Sequence, residues 1–338
     1  MTENTIEKVA VIGAGTMGPG MAATFARNGF DTALYDVKPE QLEKAKGTVD
    51  FVYTTLTGGG FMTAEDADAG RARITSTTDL AAALDGASFV VETVPEQKAL
   101  KQQVFKDLEA HVGDDVLLAS NTSGIPITEL ASVTRVPSRV VGMHWSNPPH
   151  LIPVIEVIRG EQTSEETAQR TVELVENIGM VPAIVDRDVA GFVENRILYA
   201  IMREALHLLD EGVASAEAID TITKWGIGYK LAVIGPLELL DMAGLDIYTS
   251  VASYLNASLN ASPEVSKTVA DKVAAGRLGI KTQGGLFDYT PERIQQLQQQ
   301  RGRKLVATRK ALADTSPRPR CVVVGSELLA SPGTREVR

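Results

Sequence analysis

The sequence predicts an α/β fold: an N-terminal doubly wound domain on a mainly parallel sheet, followed by an all-helical domain. Three observations carry that expectation. EKVAVIGAGTMGPG (7–20) runs from an apolar, strand-like stretch into a glycine-rich turn that opens a helix, the start of a βαβ unit. Strand-like and helix-like segments then alternate to about Asp188, the order that builds parallel sheets. Beyond Asp188, apolar residues recur at helical spacing.

Taken in order, EKVAVIGAG is a buried strand, TMGPGMAATFARNGF a helix closed by Gly29, and DTALYDV a second strand. KPEQLEKAKGTVDFVYTTL is a helix. ARITST, SFVVETV and DVLLASN are strands, with a helix from Gln97 to His111 between the last two. ITELASV is helical, while RVVGMHW and VIEVIRG are strands. TSEETAQRTVELVENIG opens on a capping pattern, Thr163 with Glu166, and closes on Gly179. MVPAIVD is the last strand. VAGFVENRILYAIMREALHLLDEG then keeps a helical period for about five turns, and SAEAIDTITKWG, ELLDMAGLDIYTSVASYLN and SPEVSKTVADKVAAG are further helices. The expected domains are 1–188 and 189–315, with a disordered Pro/Arg/Gly-rich tail at 316–338.

With 338 residues, 44% of them hydrophobic, the chain has apolar material for two domains. Its net charge of −10 argues against nucleic acid as a partner, because that needs a basic surface. No apolar run approaches the roughly 20 residues of a membrane span, and MTENTIEKVA leads into a strand pattern rather than a secretory leader. A single cysteine, Cys321, leaves no internal disulfide. These features together point to a cytoplasmic protein. No H-x-x-x-H, C-x-x-C or carboxylate cluster has metal-ligand spacing, so no metal is expected.

Gly13-Ala14-Gly15-Thr16-Met17-Gly18 is a G-x-G-x-x-G in the context that gives it meaning. Gly13 permits the tight turn, Gly15 lets a pyrophosphate approach, and Gly18 lets helix and strand pack closely. Thr16 and Met17 complete the turn, and the helix N-terminus behind it attracts phosphate. Asp36 ends the next strand, where a carboxylate accepts ribose hydroxyls and repels a 2′-phosphate. NAD is therefore the expected cofactor of a Rossmann domain, with FAD as the alternative.

GMHWSNPPHLIPVIEV (142–157) contains one of only four histidines, His144, twelve positions before the carboxylate of Glu156. Removing a hydroxyl proton as hydride leaves carbon suits a histidine titrating near neutrality. A carboxylate on its second ring nitrogen fixes the tautomer. Ser123, just past a strand end, sits at the edge where open α/β sheets bind ligands. His150 and Trp145, beside His144, are candidate substrate contacts, although Trp145 also suits simple packing.

SNTSG (120–124), GMHWSNPP (142–149), the strand carrying Glu156, GFVENR (191–196), GPLELLDMAGLD (235–246) and GIKTQGGLFDY (279–289) together resemble the 3-hydroxyacyl-CoA dehydrogenase superfamily in order and spacing. The resemblance spans about residues 6–310. It implies a catalytic base at His144, an orienting acid at Glu156, and substrate contacts at Ser123 and Asn195. It also implies nicotinamide-side contacts at Glu96 and Lys101, with Asn121 in the cofactor set, and a homodimer formed through the helical domain.

One stretch departs from the acyl-CoA members, which carry a lysine-rich helical hairpin after the second strand. Here TVDFVYTTLTGGGFMTAEDADAG (48–70) has no lysine or arginine and four acids. A multiply phosphorylated coenzyme A would be poorly matched there. The expected substrate is instead a small free carboxylate bearing a hydroxyl or hydrated aldehyde, as in the branch of the superfamily that acts on such acids. The alternative is a short-chain 3-hydroxyacyl-CoA.

Overall fold

A computed structural model describes residues 6–313. The tail expected to be disordered, 316–338, lies outside the described residues. The chain separates into two compact units, one running through Ala190 and the other beginning at Gly191.

The first unit is an eight-stranded sheet in the order β3-β2-β1-β4-β5-β6-β7-β8. The strands are β1 (Lys8–Ile12), β2 (Asp31–Tyr35), β3 (Ile74–Thr77), β4 (Phe89–Glu92), β5 (Leu117–Ser120), β6 (Val140–Trp145), β7 (Val154–Ile158) and β8 (Val181–Val185). Every neighbouring pair is parallel except β6 and β7. Only residues 146–153 join those two strands, too short a link for a crossover helix, so β7 must return antiparallel. The mainly parallel sheet expected from the alternation is thus present, and its one reversal follows from a short loop.

Helix α1 (Gly18–Arg27) lies against this sheet, burying Met21 and Phe25 among Val9, Val11, Phe89, Val91, Val141 and Met143. These strand residues alternate along their strands, so one face of the sheet is apolar throughout. Next come α2 (Pro39–Gly58), α3 (Ala64–Ala72), α4 (Leu80–Leu84), α5 (Lys98–Glu109), α6 (Ile127–Ala131) and α7 (Glu165–Asn177). Helix α7 adds Val172 and Val175 to the same core.

Two local expectations need correction. No helix is expected over 64–72, yet α3 forms there. It lacks an apolar stripe and is started by a capping box in which Thr63 and Asp66 bond each other's backbone N–H. The cap of α7 is Ser164, whose hydroxyl accepts from Thr167 N, and not Thr163. The Thr163 hydroxyl is buried and is spent on the Val140 carbonyl at 2.6 Å, with Gly160 N donating to it.

The second unit begins with Gly191 at φ 77° and Phe192 at φ 49°. This left-handed pair cannot be helical, so the helix expected from about residue 189 starts only at α8 (Glu194–Asp210). It is followed by α9 (Ala216–Ile222), a π-helical segment Thr223–Gly228, α10 (Tyr229–Leu231), α11 (Pro236–Ala243), α12 (Leu245–Leu255), α13 (Lys267–Ala274) and α14 (Pro291–Ala313). None of these helices carries a buried residue.

Candidate active site

The registers bring Ile12, Glu92 and Ser120 side by side at the carboxyl ends of β1, β4 and β5. The residues that follow these three strands therefore form one edge. A cleft of 720 Å³ opens there, with walls that include Gly13, Gly15, Asp36, Glu96, Asn121 and Ser123. Gly13 has φ 114°, and a Cβ on it would lie 2.8 Å from Thr93 O. A Cβ on Gly18 would lie 1.9 Å from Gly13 O, so α1 closes onto the turn only because residue 18 is glycine. Gly15 has nothing within 4 Å of such a position. Its open side is what a close-lying pyrophosphate requires.

Asp36 is held rigidly beside this turn: Oδ2 accepts from Ala14 N at 2.9 Å and Oδ1 from Lys38 N at 3.0 Å. The residues present therefore fit NAD. The glycine turn and the start of α1 would hold the diphosphate, with Asp36 taking the adenosine ribose.

Further along the edge, Asn121 joins three strands. Its Nδ2 donates to Thr93 Oγ1 at 3.2 Å, and its Oδ1 accepts from Trp145 N at 2.9 Å. Glu96 reaches from the β4–α5 turn to the turn after β5. Its Oε1 accepts from Thr122 Oγ1 at 2.6 Å and from Ser123 N at 2.9 Å. Burial pushes the Glu96 carboxyl up, but the Thr122 hydroxyl, the Lys101 charge and the Ser123 amide together hold it below the usual glutamate range. Lys101 is fully buried and does not line the cleft; its ammonium lies 2.8 Å from Glu92 Oε1, 3.1 Å from Val94 O and 3.3 Å from Glu96 Oε2.

His144 and Glu156 face each other across the antiparallel β6–β7 pair, in direct register. Their spacing of twelve in sequence is thus one strand, a loop and a return. His144 Nδ1 lies 2.7 Å from Glu156 Oε2, and both side chains are buried. The reversal that makes β7 antiparallel is therefore what sets the two side by side. Trp145, on the opposite face of β6, packs edge-to-face on Phe25 with ring centroids 5.6 Å apart. His150 is buried near α1, where a Cβ on Gly20 would come 3.8 Å from its Nδ1. Asn195 lies in the second unit, in the first turn of α8.

Sequence reasoning did not single out Glu92, Ser120 or Thr122. The available signal was Glu92 itself, a carboxylate ending the apolar run FVVE and completely buried there.

This geometry is that of an NAD-dependent dehydrogenase. The profile of the 3-hydroxyacyl-CoA dehydrogenase NAD binding domain matches residues 8–189, and that of the 3-hydroxyacyl-CoA dehydrogenase C-terminal domain matches 191–289. The chain belongs to the 3-hydroxyacyl-CoA dehydrogenase family. It is 48% identical over 307 residues to 5-formyl-3-hydroxy-2-methylpyridine 4-carboxylate 5-dehydrogenase from Mesorhizobium japonicum, covering 91% of this chain and 98% of that one. A solved structure of a 5-formyl-3-hydroxy-2-methylpyridine 4-carboxylic acid 5-dehydrogenase, described as an NAD+ dependent dismutase, superposes with a TM-score of 0.87. It is 48% identical, over 91% of this chain and 99% of that one. A probable 3-hydroxybutyryl-CoA dehydrogenase from Deinococcus radiodurans is 40% identical over 283 residues, 83% of this chain and all of the relative.

Proposed function

We propose that the chain oxidises a hydroxyl or hydrated aldehyde on a small free carboxylate, with His144 as the base and Glu156 as its orienter. The observation that carries this reading is the buried 2.7 Å contact between His144 Nδ1 and Glu156 Oε2 on the sheet that bears the cofactor cleft. With Nδ1–H donated to Glu156, the lone pair sits on Nε2, ready to take the substrate hydroxyl proton. The carboxylate then stabilises the imidazolium that results. Bound NAD supplies the hydride acceptor. Ser123 hydrogen-bonds the reacting oxygen and holds it for transfer, and a substrate contact at Asn195 follows from the family resemblance alone.

The free-carboxylate reading draws support from the α2–α3 hairpin. The two arginines that follow its lysine-free stretch are already engaged. Arg71 pairs with Asp50 and Asp68, each at 2.8 Å, and stacks over Tyr53, while Arg73 donates to Gly29 O. Arg71 is thus committed to acids of its own hairpin, which leaves less positive charge there for the phosphates of coenzyme A. The similarity to the pyridine-carboxylate dehydrogenase points the same way. The solved structure of that name is described as an NAD+ dependent dismutase; for this chain we propose that a hydrated aldehyde gives up hydride to NAD and becomes the acid. The 40% identity to a probable 3-hydroxybutyryl-CoA dehydrogenase supports the alternative acyl-CoA reading.

We also propose that the enzyme works as a cytoplasmic homodimer joined through the second unit, where apolar side chains are left exposed on several helices. No described helix is long and apolar enough to cross a membrane.

The base pair is tested by the pH dependence of kcat/KM in wild type and Glu156→Gln. The expected outcome is one acidic limb in wild type that shifts in the variant, with kcat lowered about 10²- to 10⁴-fold. An unchanged profile with unchanged kcat would remove Glu156 from the mechanism.

A further inference from the structure

We infer that Glu92 is a positioning residue: through Lys101 and Ser120 it locks the β4–α5 turn to the turn after β5 in the arrangement that binds NAD and presents Ser123. The part concerning Ser123 rests on the substrate role proposed above; the part concerning NAD does not.

Glu92 ends β4 and is wholly buried. Its Oε1 takes Lys101 Nζ at 2.8 Å and Val94 N at 2.6 Å, and its Oε2 takes Ser120 Oγ at 2.7 Å. Ser120 Oγ in turn accepts from Thr122 N at 3.2 Å, and Thr122 Oγ1 donates to Glu96. Lys101 faces Glu92, Glu96 and the Val94 carbonyl, one acceptor for each ammonium hydrogen. The result is a closed ring, Glu92–Lys101–Glu96–Thr122–Ser120, that ties the end of β4, the first turn of α5 and the end of β5 together. Glu92 and Lys101 do not line the cleft, yet Val94, Glu96 and Ser123, which do, all hang from this ring.

Stability alone gives little reason for such a ring. Desolvating two charges is expensive, and well-packed apolar residues in their place are often neutral or stabilising. Burial does push the Glu92 carboxyl up, against the pull of Lys101, Ser120 and the Val94 amide. What an apolar pair cannot do is accept from two loops at once. That ability fixes the walls of a binding site to within the tolerance that hydride transfer needs.

The test compares Glu92→Gln, the double variant Glu92→Leu/Lys101→Met, and Ser120→Ala in the full chain. Two readouts are used: the NADH dissociation constant by fluorescence, which needs no substrate, and kcat and KM. Positioning predicts that the double variant regains the wild-type melting temperature while NADH binding stays weakened about 10-fold or more and kcat stays low. Ser120→Ala, which cuts the ring with almost no change in volume, should show a milder loss of the same kind. Weakened NADH binding with unaltered kcat would uphold Glu92's hold on the cofactor and tell against the role given to Ser123. If the double variant binds NADH as wild type does, the pair is packing and the inference falls. If neither Glu92 variant folds, Ser120→Ala decides: unchanged NADH affinity overturns the proposal, and weakened affinity at an unchanged melting temperature upholds it.

Discussion

The two units of this chain bury their apolar residues to very different degrees. In the first, Val9, Val11, Phe25, Phe89 and Val141 have no exposure at all. In the second, no helix carries a buried residue, and Trp225, Tyr229, Val233, Leu237 and Met242 are 65% to 78% exposed. Large apolar side chains exposed on one helix after another are the kind of surface that marks an interaction site. The nucleotide-binding half thus buries its own core, whereas the helical half leaves apolar side chains exposed, the observation on which the proposed homodimer rests.

The strongest way to break the first half is at its chemistry. Changing His144 to alanine is expected to lower kcat by about 10²- to 10⁴-fold, the usual worth of a general base, while the NADH dissociation constant stays within about twofold. Steady-state kinetics with a fluorescence titration check both. Next comes Gly18→Ala, which forces a methyl to within 1.9 Å of the Gly13 carbonyl. Overpacking of this kind costs about 1–3 kcal/mol, read as a lowered denaturant midpoint, and NADH binding should fail with it.

The second half is tested by dilution. If a partner copy covers its apolar faces, the melting temperature should rise with protein concentration, by the equivalent of about 1.4 kcal/mol per tenfold. A melting temperature independent of concentration, together with a monomeric mass by light scattering, would contradict dimerisation.

Acid tests the Glu96 link. Its carboxyl is held below the usual range, so its ionised form stabilises the two turns at neutral pH and the contribution is lost as pH falls through the lowered value. NADH affinity should be flat above about pH 5 and decline below it, once correction is made for general acid unfolding. The smallest effect expected is Ser164→Ala at the start of α7, about 1 kcal/mol by chemical denaturation, with activity unchanged.

How much of this could be read from the sequence follows the same division. The glycine turn, Asp36 and the alternating strands were legible because each is a local pattern with a local cause. His144 and Glu156 were legible as chemistry, but their contact depends on a strand reversal that only the short 146–153 link implies. The α7 cap was misassigned because Thr163 and Ser164 are both good caps, and what separates them is a long-range bond from Thr163 to Val140. Helix α3 was missed because its acidic nine residues bear no apolar stripe. The buried ring around Glu92 is assembled from β4, β5 and α5, and no window of the sequence contains it. In the second unit the helical period was readable, but the burial that should accompany it is not found within one chain.

The most direct test of the account is NADH formation from NAD with two substrate panels at about pH 8. One panel holds 3-hydroxybutyryl-CoA and longer acyl-CoAs. The other holds free acids, including 3-hydroxybutyrate, carnitine, gulonate and 5-formyl-3-hydroxy-2-methylpyridine 4-carboxylate, with acid and alcohol products quantified alongside NADH. The account predicts turnover in the free-acid panel that His144→Ala abolishes. Efficient turnover confined to the acyl-CoA panel would contradict it.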